Sequence, residues 1–201
     1  MSSVAAIVLP VPHCGASLHP ITHATLEDRE LLAKLTAWRN NARDSFFTQF
    51  EATEESTRRW LRERILPDAR RLLFVIRDEA GPLGTIGFMN LTTDAAELDN
   101  LVRGERRGAA SLVSRVEATL LDWLFEAFHL KRVGAAVLSS NFAARQLHQT
   151  LGFSLRRRSP LRRVVADGMI SLVDSDQAEN GTPEKLWLEL DREDWEAQRS
   201  A

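Results

Sequence analysis

Residues 96–111 of the chain read AELDNLVRGERRGAAS, and this stretch decides how the protein is expected to fold. Polar and apolar residues alternate over 96–102 and predict a strand, with Glu97, Asp99 and Leu101 on one face. Apolar residues then recur every four positions from Leu112 to Phe128, which predicts a helix over 109–130. The order is therefore a strand, a basic glycine loop and a long helix.

The basic loop, Arg103–Gly108, predicts a site for phosphate or pyrophosphate. A glycine loop ahead of a helix leaves backbone N–H groups free, and the helix dipole adds positive potential at the same point. Arg103, Arg106 and Arg107 add full charges, although an ordinary loop with solvated arginines would have the same composition. The sequence lacks both GxxxxGK[ST] and GxGxxG, which argues against ATP and NAD as ligands.

Segments on both sides of this stretch complete one α+β domain. Residues 71–78 and 83–91 predict two strands, and residues 132–139 predict another. Asn141 is placed to cap a helix that Gly152 ends. We assign residues 16–201 to a single domain and residues 1–15 to a flexible N-terminal tail.

Composition limits the class of protein. Of the 201 residues, 44% are hydrophobic and 27% are charged, as in globular proteins, and Cys14 is the single cysteine. No apolar run is long enough to cross a bilayer, and the first residues lack the basic region of a signal peptide, so a cytoplasmic protein without membrane contact is expected. The histidines show no metal-ligand spacing. The net charge of −2 disfavours nucleic-acid binding. The basic run Arg156–Arg163 is a feature that would favour it.

Two motifs in this order resemble the GNAT superfamily of N-acetyltransferases. Residues 105–110, ERRGAA, resemble the acyl-CoA loop written [Q/R]-x-x-G-x-[G/A], with Glu105 in place of Gln or Arg. Residues 141–153, NFAARQLHQTLGF, resemble the second segment, N-x-x-[A/S]-x-x-[L/F]-[Y/H/F]-x-x-x-G-F. The segment around Trp38-Arg39-Asn40 is loosely similar to members that act on amino-sugar nucleotides or protein N-termini.

The resemblance implies a mixed, mostly antiparallel, seven-stranded twisted sheet splayed at its centre and flanked by about four helices. Acetyl-CoA, as co-substrate, would lie in the splayed gap, and no metal is implied. The strand end would pair with the pantetheine arm, the loop amides would hold the pyrophosphate, and Asn141 would hydrogen-bond the arm. The implied cofactor-binding residues are Leu101, Val102, Arg103, Arg106, Arg107, Gly108, Ala109, Ala110, Ser111, Asn141 and Ala144.

Direct acetyl transfer needs an uncharged amine and a protonated leaving thiol. Glu97 is the first candidate for the general base and Asp99 the second, while solvated or paired carboxylates are the alternative for each. Many family members use a tyrosine acid where this chain has His148, and the chain contains no tyrosine. Either His148 protonates the thiolate or the thiolate leaves unassisted.

The function expected from the sequence is an acetyl-CoA-dependent N-acetyltransferase that acts on a primary amine without an acyl-enzyme intermediate. A small amine such as an amino-sugar nucleotide is the preferred acceptor, and a protein N-terminus is the next choice. A CoA-binding regulatory module without turnover is the rival. Phe46, Phe47 and Phe50 are interpreted as a plug of the core rather than as the wall of an acceptor pocket. The sequence is compatible with a monomer or a homodimer.

Overall fold

The structure, a computed structural model, describes residues 7–200 as strands on one principal sheet, a small second sheet and surrounding helices. The strands are β1 Leu9–Val11, β2 Ala16–Pro20, β3 Thr48–Gln49, β4 Leu72–Asp78, β5 Gly81–Met89, β6 Ala95–Arg103, β7 Arg132–Leu138, β8 Ser154–Ser159, β9 Leu161–Ala166, β10 Met169–Asp174 and β11 Lys185–Asp191. The α-helices are α1 Arg29–Asn41, α2 Glu54–Trp60, α3 Leu112–Phe128, α4 Phe142–Thr150 and α5 Arg192–Ser200. Short 3-10 turns cover His23–Glu27 and Arg43–Ser45, and a π-helical turn, Leu61–Ile65, continues α2.

The principal sheet opens at its centre. Its strand order is β1-β2-β4-β5-β6-β7-β11-β8, and all neighbouring pairs are antiparallel except β6 and β7. The parallel pairing of β6 with β7 runs only from Ala95 opposite Arg132 to Leu98 opposite Ala135. Beyond Leu98 the two strands diverge, so the second half of β6 has no backbone partner on that side. The predicted α+β class with a mostly antiparallel sheet splayed at its centre is confirmed.

The number of strands and helices differs from the prediction. The principal sheet has eight strands instead of seven, β3, β10 and β9 form a second sheet, and five α-helices are present within residues 7–200. The expected tail is wrong for residues 9–11, because a turn at residues 12–15 brings them back against β2 as strand β1. Val11 is buried there, which explains why so short a segment pairs. Residues 1–6 of the expected tail lie outside the described residues.

The principal sheet carries a hydrophobic cluster on each face. In β4, Phe74 and Ile76 pack with α3, whereas Leu73 and Val75 pack with α1 and the π-helical turn. This alternation is the reason why β4 is almost continuously apolar. Helix α3 is shorter than the predicted 109–130, and none of the helices within residues 7–200 is both long and apolar enough to cross a bilayer.

Candidate active site

The gap between β6 and β7, which we call the sheet cleft, is a cavity of about 640 Å³. Residues 97–103 of β6 form one wall and residues 135–137 of β7 form the other. Asn141, Ala144 and His148 border it from α4. Because β6 lacks a partner strand here, an extended chain with amide groups can pair with its free edge. The cleft is therefore open where the sequence analysis placed the pantetheine arm.

The loop after β6 presents unpaired backbone amides at the start of α3. None of the N–H groups of residues 107–111 donates a hydrogen bond to another group within residues 7–200. Gly108 has φ +91°, a conformation that side chains of L-residues rarely adopt. Together with the first turn of the 17-residue helix α3, these amides form a surface suited to an anion.

Two of the three arginines of this loop make hydrogen bonds that fix its conformation. Arg103 donates hydrogen bonds from its guanidinium to the carbonyl oxygens of Glu105, Arg106 and Arg107 at 3.2–3.3 Å. Arg107 binds Asp78 through both carboxylate oxygens, and this hydrogen bond lowers the pKa of Asp78. Arg106 is exposed and its side chain has no partner within residues 7–200, so of the three arginines only Arg107 has its charge paired with a carboxylate there.

Glu105, which departs from the family pattern, ties the loop to α1. Its carboxylate accepts a hydrogen bond from Trp38 Nε1 at 3.3 Å and lies 3.6 Å from Lys34 Nζ. Gly104 lies directly on the Trp38 ring, where an added Cβ would come within 2.1 Å of ring carbons. Helix α1 therefore fixes one side of the loop.

Helix α4 starts at the cleft as its sequence predicted. Asn141 Oδ1 accepts a hydrogen bond from Ala144 N at 3.1 Å, which confirms the predicted cap. The cap leaves Asn141 Nδ2 without an acceptor within residues 7–200, and the residue borders the cleft. One side chain thus closes the helix end and offers a donor to the cleft.

His148 forms a buried pair that the sequence analysis missed. Its Nδ1 lies 2.6 Å from Glu117 Oε1, and the two residues are 4% and 0% exposed. Glu117 Oε2 has no partner within residues 7–200. When Nδ1–H donates to Glu117, the neutral ring keeps Nε2 free to accept a proton, and the protonated ring can give it back. In the sequence, Glu117 is a charged residue on the apolar face of α3, and this exception was the signal that could have pointed to the buried pair.

A bulge in β6 changes how its side chains are distributed. Gly87 pairs with Asp99 and Thr85 with Val102, so Asn100 and Leu101 both lie opposite Ile86. Asn100 has φ +51°, and its carbonyl oxygen accepts a hydrogen bond from Thr85 Oγ1 at 2.8 Å. The predicted regular alternation is wrong beyond Asp99, because the bulge places two residues of β6 opposite one residue of β5.

The two candidate bases occupy different places. Glu97 borders only the sheet cleft, and its carboxylate makes no hydrogen bond or ion pair within residues 7–200. Asp99 borders the sheet cleft and also a second cavity, and its Oδ2 lies 3.9 Å from Arg71 Nε. Burial raises the pKa of Asp99, and the charge of Arg71 acts in the opposite direction.

The second cavity, which we call the aromatic cavity, measures about 680 Å³ and adjoins the sheet cleft. The residues that border both are Phe46, Phe47, Asp99, Asn100 and Val102. The interpretation of Phe46, Phe47 and Phe50 as a core plug is wrong, since all three are half-buried and line this cavity. The Arg39 guanidinium stacks on the Phe46 ring, with its carbon 3.7 Å from the ring centre, so this ring packs against a charged group instead of core side chains.

The basic run Arg156–Arg163 lies on β8 and β9, away from both cavities. Several of its charges are paired: Arg156 with Glu189 and Asp191, and Arg158 with Glu184. These ion pairs reduce the charge that the run offers to a partner.

The sequence matches the family model described as an acetyltransferase (GNAT) domain over residues 20–154. Because this is more than half of the chain, the protein belongs to the GNAT acetyltransferase family. A comparison with curated proteins finds no significant match.

Solved structures with the same fold differ in what they act on. Spermidine N-acetyltransferase from Vibrio cholerae, solved with CoA and spermine, has a TM-score of 0.67 at 12% identity, covering 90% of this chain and 98% of its own. RimL, a ribosomal α-N-protein acetyltransferase in complex with coenzyme A, has a TM-score of 0.64 at 14% identity, covering 92% and 98%. FdhC, described as a nucleotide-linked sugar GNAT, has a TM-score of 0.62 at 12% identity, covering 93% of each chain. At these identities the likeness shows the fold and leaves the acceptor open.

Proposed function

We propose that the protein transfers an acetyl group from acetyl-CoA directly to a primary amine. The observation that carries this proposal is the junction of the two cavities at Asp99. Acetyl-CoA would enter along the sheet cleft with its diphosphate on the loop amides and its pantetheine arm along β6. The acceptor would enter through the aromatic cavity, so the thioester and the amine would meet at Asp99.

Asp99 is the general base in this proposal, in preference to Glu97. A primary ammonium with an ordinary pKa near 10 is almost fully protonated at neutral pH, so its proton must be removed before attack. Asp99 borders both cavities, and its raised pKa makes it a stronger base than an exposed aspartate. Glu97 lies farther along the sheet cleft, where β6 and β7 are still paired.

His148 is the general acid in this proposal. After Asp99 has taken one proton from the ammonium, the neutral nitrogen bonds to the carbonyl carbon, the carbon–sulfur bond breaks, and the nitrogen releases its second proton to solvent. The CoA thiolate takes a proton from His148 Nε2. Glu117 would orient the ring by accepting a hydrogen bond from Nδ1–H, which leaves Nε2 directed to the thiolate. The products are the N-acetylated amine and free CoA, and no acyl-enzyme forms.

For the acceptor, a small amine is our first candidate, with an amino-sugar nucleotide as the leading example. The arginines of the aromatic cavity support an acceptor with phosphate groups. A protein N-terminus is the second candidate, because an open aromatic cavity also suits the first residues of a peptide.

An acceptor screen that measures free CoA with a thiol reagent tests the proposal. Cys14 is the single cysteine and is half-buried, so it contributes at most one thiol per chain and cannot imitate turnover. We expect many equivalents of thiol per enzyme with at least one primary amine, together with N-acetylated product by mass spectrometry.

The contrary result is thermal stabilisation by acetyl-CoA without thiol release for any amine. That outcome would replace the enzyme with a CoA-binding regulatory module. Release of CoA with peptides but with no amino sugar would keep the enzyme and change the acceptor.

A further inference from the structure

The aromatic cavity has an unbalanced charge. Arg39, Arg64 and Arg71 line it, and Asp99 is its single carboxylate. Asp99 already faces Arg71, with 3.9 Å between Oδ2 and Nε. Neither Arg39 nor Arg64 has a carboxylate within 4.0 Å among residues 7–200. Two guanidinium groups therefore face the cavity without a counter-charge.

The Arg39 guanidinium is held in place by its neighbours, but one of its donors lacks a hydrogen-bond acceptor. Its guanidinium carbon lies 3.7 Å from the centre of the Phe46 ring and 5.1 Å from that of Phe50, and its Nη2 donates to Thr48 O at 2.5 Å. Its Nη1 is buried and has no acceptor within residues 7–200. Burial lowers the pKa of Arg39, and no neighbouring anion offsets that effect. A buried donor without a partner is uncommon in proteins, so the hydrogen-bonding capacity of the Arg39 guanidinium is not used up by the fold.

Arg64 reaches the cavity from the π-helical turn that follows α2. The i→i−5 hydrogen bond from Leu66 N to Leu61 O, at 2.9 Å, defines that turn. π-Helical turns inside helices are frequent at functional sites. The Arg64 side chain is exposed and forms neither an ion pair nor a hydrogen bond within residues 7–200, so its charge is free at the cavity.

The remaining wall is aromatic. Phe46, Phe50 and Trp60 line the cavity beside the two arginines. Aromatic rings favour flat or apolar partners, and the planar guanidinium fork matches carboxylate and phosphate oxygens in pairs. The cavity thus combines a surface for a ring or apolar body with donors for a compact oxyanion.

We propose that the acceptor is a primary amine that also carries a carboxylate or phosphate, which Arg64 and Arg39 bind while the amine lies at Asp99. This inference rests on the proposed function and narrows its acceptor class. Linear polyamines are excluded, because their cationic groups would be repelled by the arginines. The body of the acceptor between amine and oxyanion packs against the rings of Phe46 and Phe50.

The test compares acceptors that differ only in the anion. Para-aminomethylbenzoate and para-aminomethylbenzamide have the same ring and amine, and glucosamine phosphate and glucosamine form the second pair. Spermidine is the cationic arm. We expect kcat/KM to be about 10- to 100-fold higher for the anionic member of at least one pair, as for hydrogen bonds to a charged group. Which pair responds identifies the carboxylate or the phosphate as the natural group.

Arg64→Met supplies the matched variant, and Arg62→Met is its control. Both side chains are exposed on the same π-helical turn, but only Arg64 lines the cavity. Arg64→Met should remove about tenfold or more of kcat/KM for the anionic acceptor and leave the neutral one unchanged. Arg62→Met should change neither.

Equal kcat/KM for both members of both pairs, or a preference for spermidine, overturns the inference. Thiol release in the same assays would still support the proposed acetyltransferase. If no compound releases thiol, the proposed function has failed, and calorimetric binding to the CoA-loaded protein then decides the inference. Tighter binding of para-aminomethylbenzoate than of para-aminomethylbenzamide, abolished by Arg64→Met and kept by Arg62→Met, supports the anion site. Equal or absent binding of the two compounds overturns it.

Discussion

The two adjoining cavities are built from different kinds of groups. The sheet cleft has the unpaired backbone edge of β6 along one wall and the helix cap at Asn141 at its border, and the free amides of residues 107–111 follow in the loop after β6. The aromatic cavity is formed by side chains, in which arginines stand among phenylalanine and tryptophan rings. A backbone site keeps its hydrogen-bonding groups when the side chains around it change. A side-chain site can change from one protein to the next while the fold is kept, which agrees with the different acceptors of the structural neighbours.

The largest effect is expected at the junction of the two cavities. Asp99→Asn keeps the shape of the side chain and removes the proposed base, so kcat/KM should fall about 10³-fold. The equilibrium constant for CoA, measured by calorimetry, should change by less than about twofold, since the loop and the cleft are retained. A larger loss of kcat/KM in Glu97→Gln than in Asp99→Asn would identify Glu97 as the base. The base would then lie in the sheet cleft alone and not at the junction of the two cavities.

The next effect concerns the buried pair in the sheet cleft. His148→Gln should lower kcat about 10²-fold with little change in KM for acetyl-CoA. Glu117→Gln should lower kcat less, and its effect should vanish in the His148→Gln background if Glu117 acts only through the ring. Additive losses of kcat in the double variant would show that the two residues act independently.

A smaller effect is expected in the loop after β6, where a distortion should weaken CoA binding and leave the acceptor KM unchanged. Gly108→Ala places a side chain at φ +91°, which costs about 1–2 kcal/mol and distorts the amides, so Kd for CoA should rise about threefold to tenfold. The matched control is Gly181→Ala, at φ +79° in a remote loop with nothing within 4 Å. It should lower the free energy of unfolding similarly and leave Kd for CoA unchanged. A rise in acceptor KM for Gly108→Ala at saturating acetyl-CoA would contradict the separation.

The smallest effect is a displacement of the pH profile. The base must be ionised to act, so kcat/KM should rise with pH through the pKa of Asp99, which burial already places above its ordinary value. The charge of Arg71 favours the carboxylate, and Arg71→Met removes that charge. The acidic limb of kcat/KM should therefore move to higher pH, whereas Arg70→Met, on an exposed neighbour paired with Asp68, should not move it. A shift to lower pH would be inconsistent with Asp99 as the base.

The sequence predicted the sheet cleft far better than the aromatic cavity. The glycine loop, the apolar helix and the Asn141 cap are local patterns, each encoded within a few turns or residues. The aromatic cavity joins residues 38–64 with Arg71, Asp99 and Met169, which meet only once the strands are ordered in the sheet. No local pattern contains that information.

Three features of the structure were not predicted from the sequence, and each has a physical cause. An apolar residue such as Phe47 looks the same in sequence whether it fills a core or lines a cavity. The bulge at Asn100 depends on how β5 pairs with β6, so regular alternation was the default expectation. The contact of His148 with Glu117 joins two helices 31 positions apart, and only the charge on the apolar face of α3 pointed to it.

A crystal structure of the protein with CoA would show directly where the co-substrate binds. We expect the diphosphate on the amides of residues 107–111, the pantetheine arm along the unpaired edge of β6, and the thiol between Asp99 and His148. CoA bound elsewhere, or β6 and β7 zipped together over their full length with the ligand excluded, would contradict this expectation.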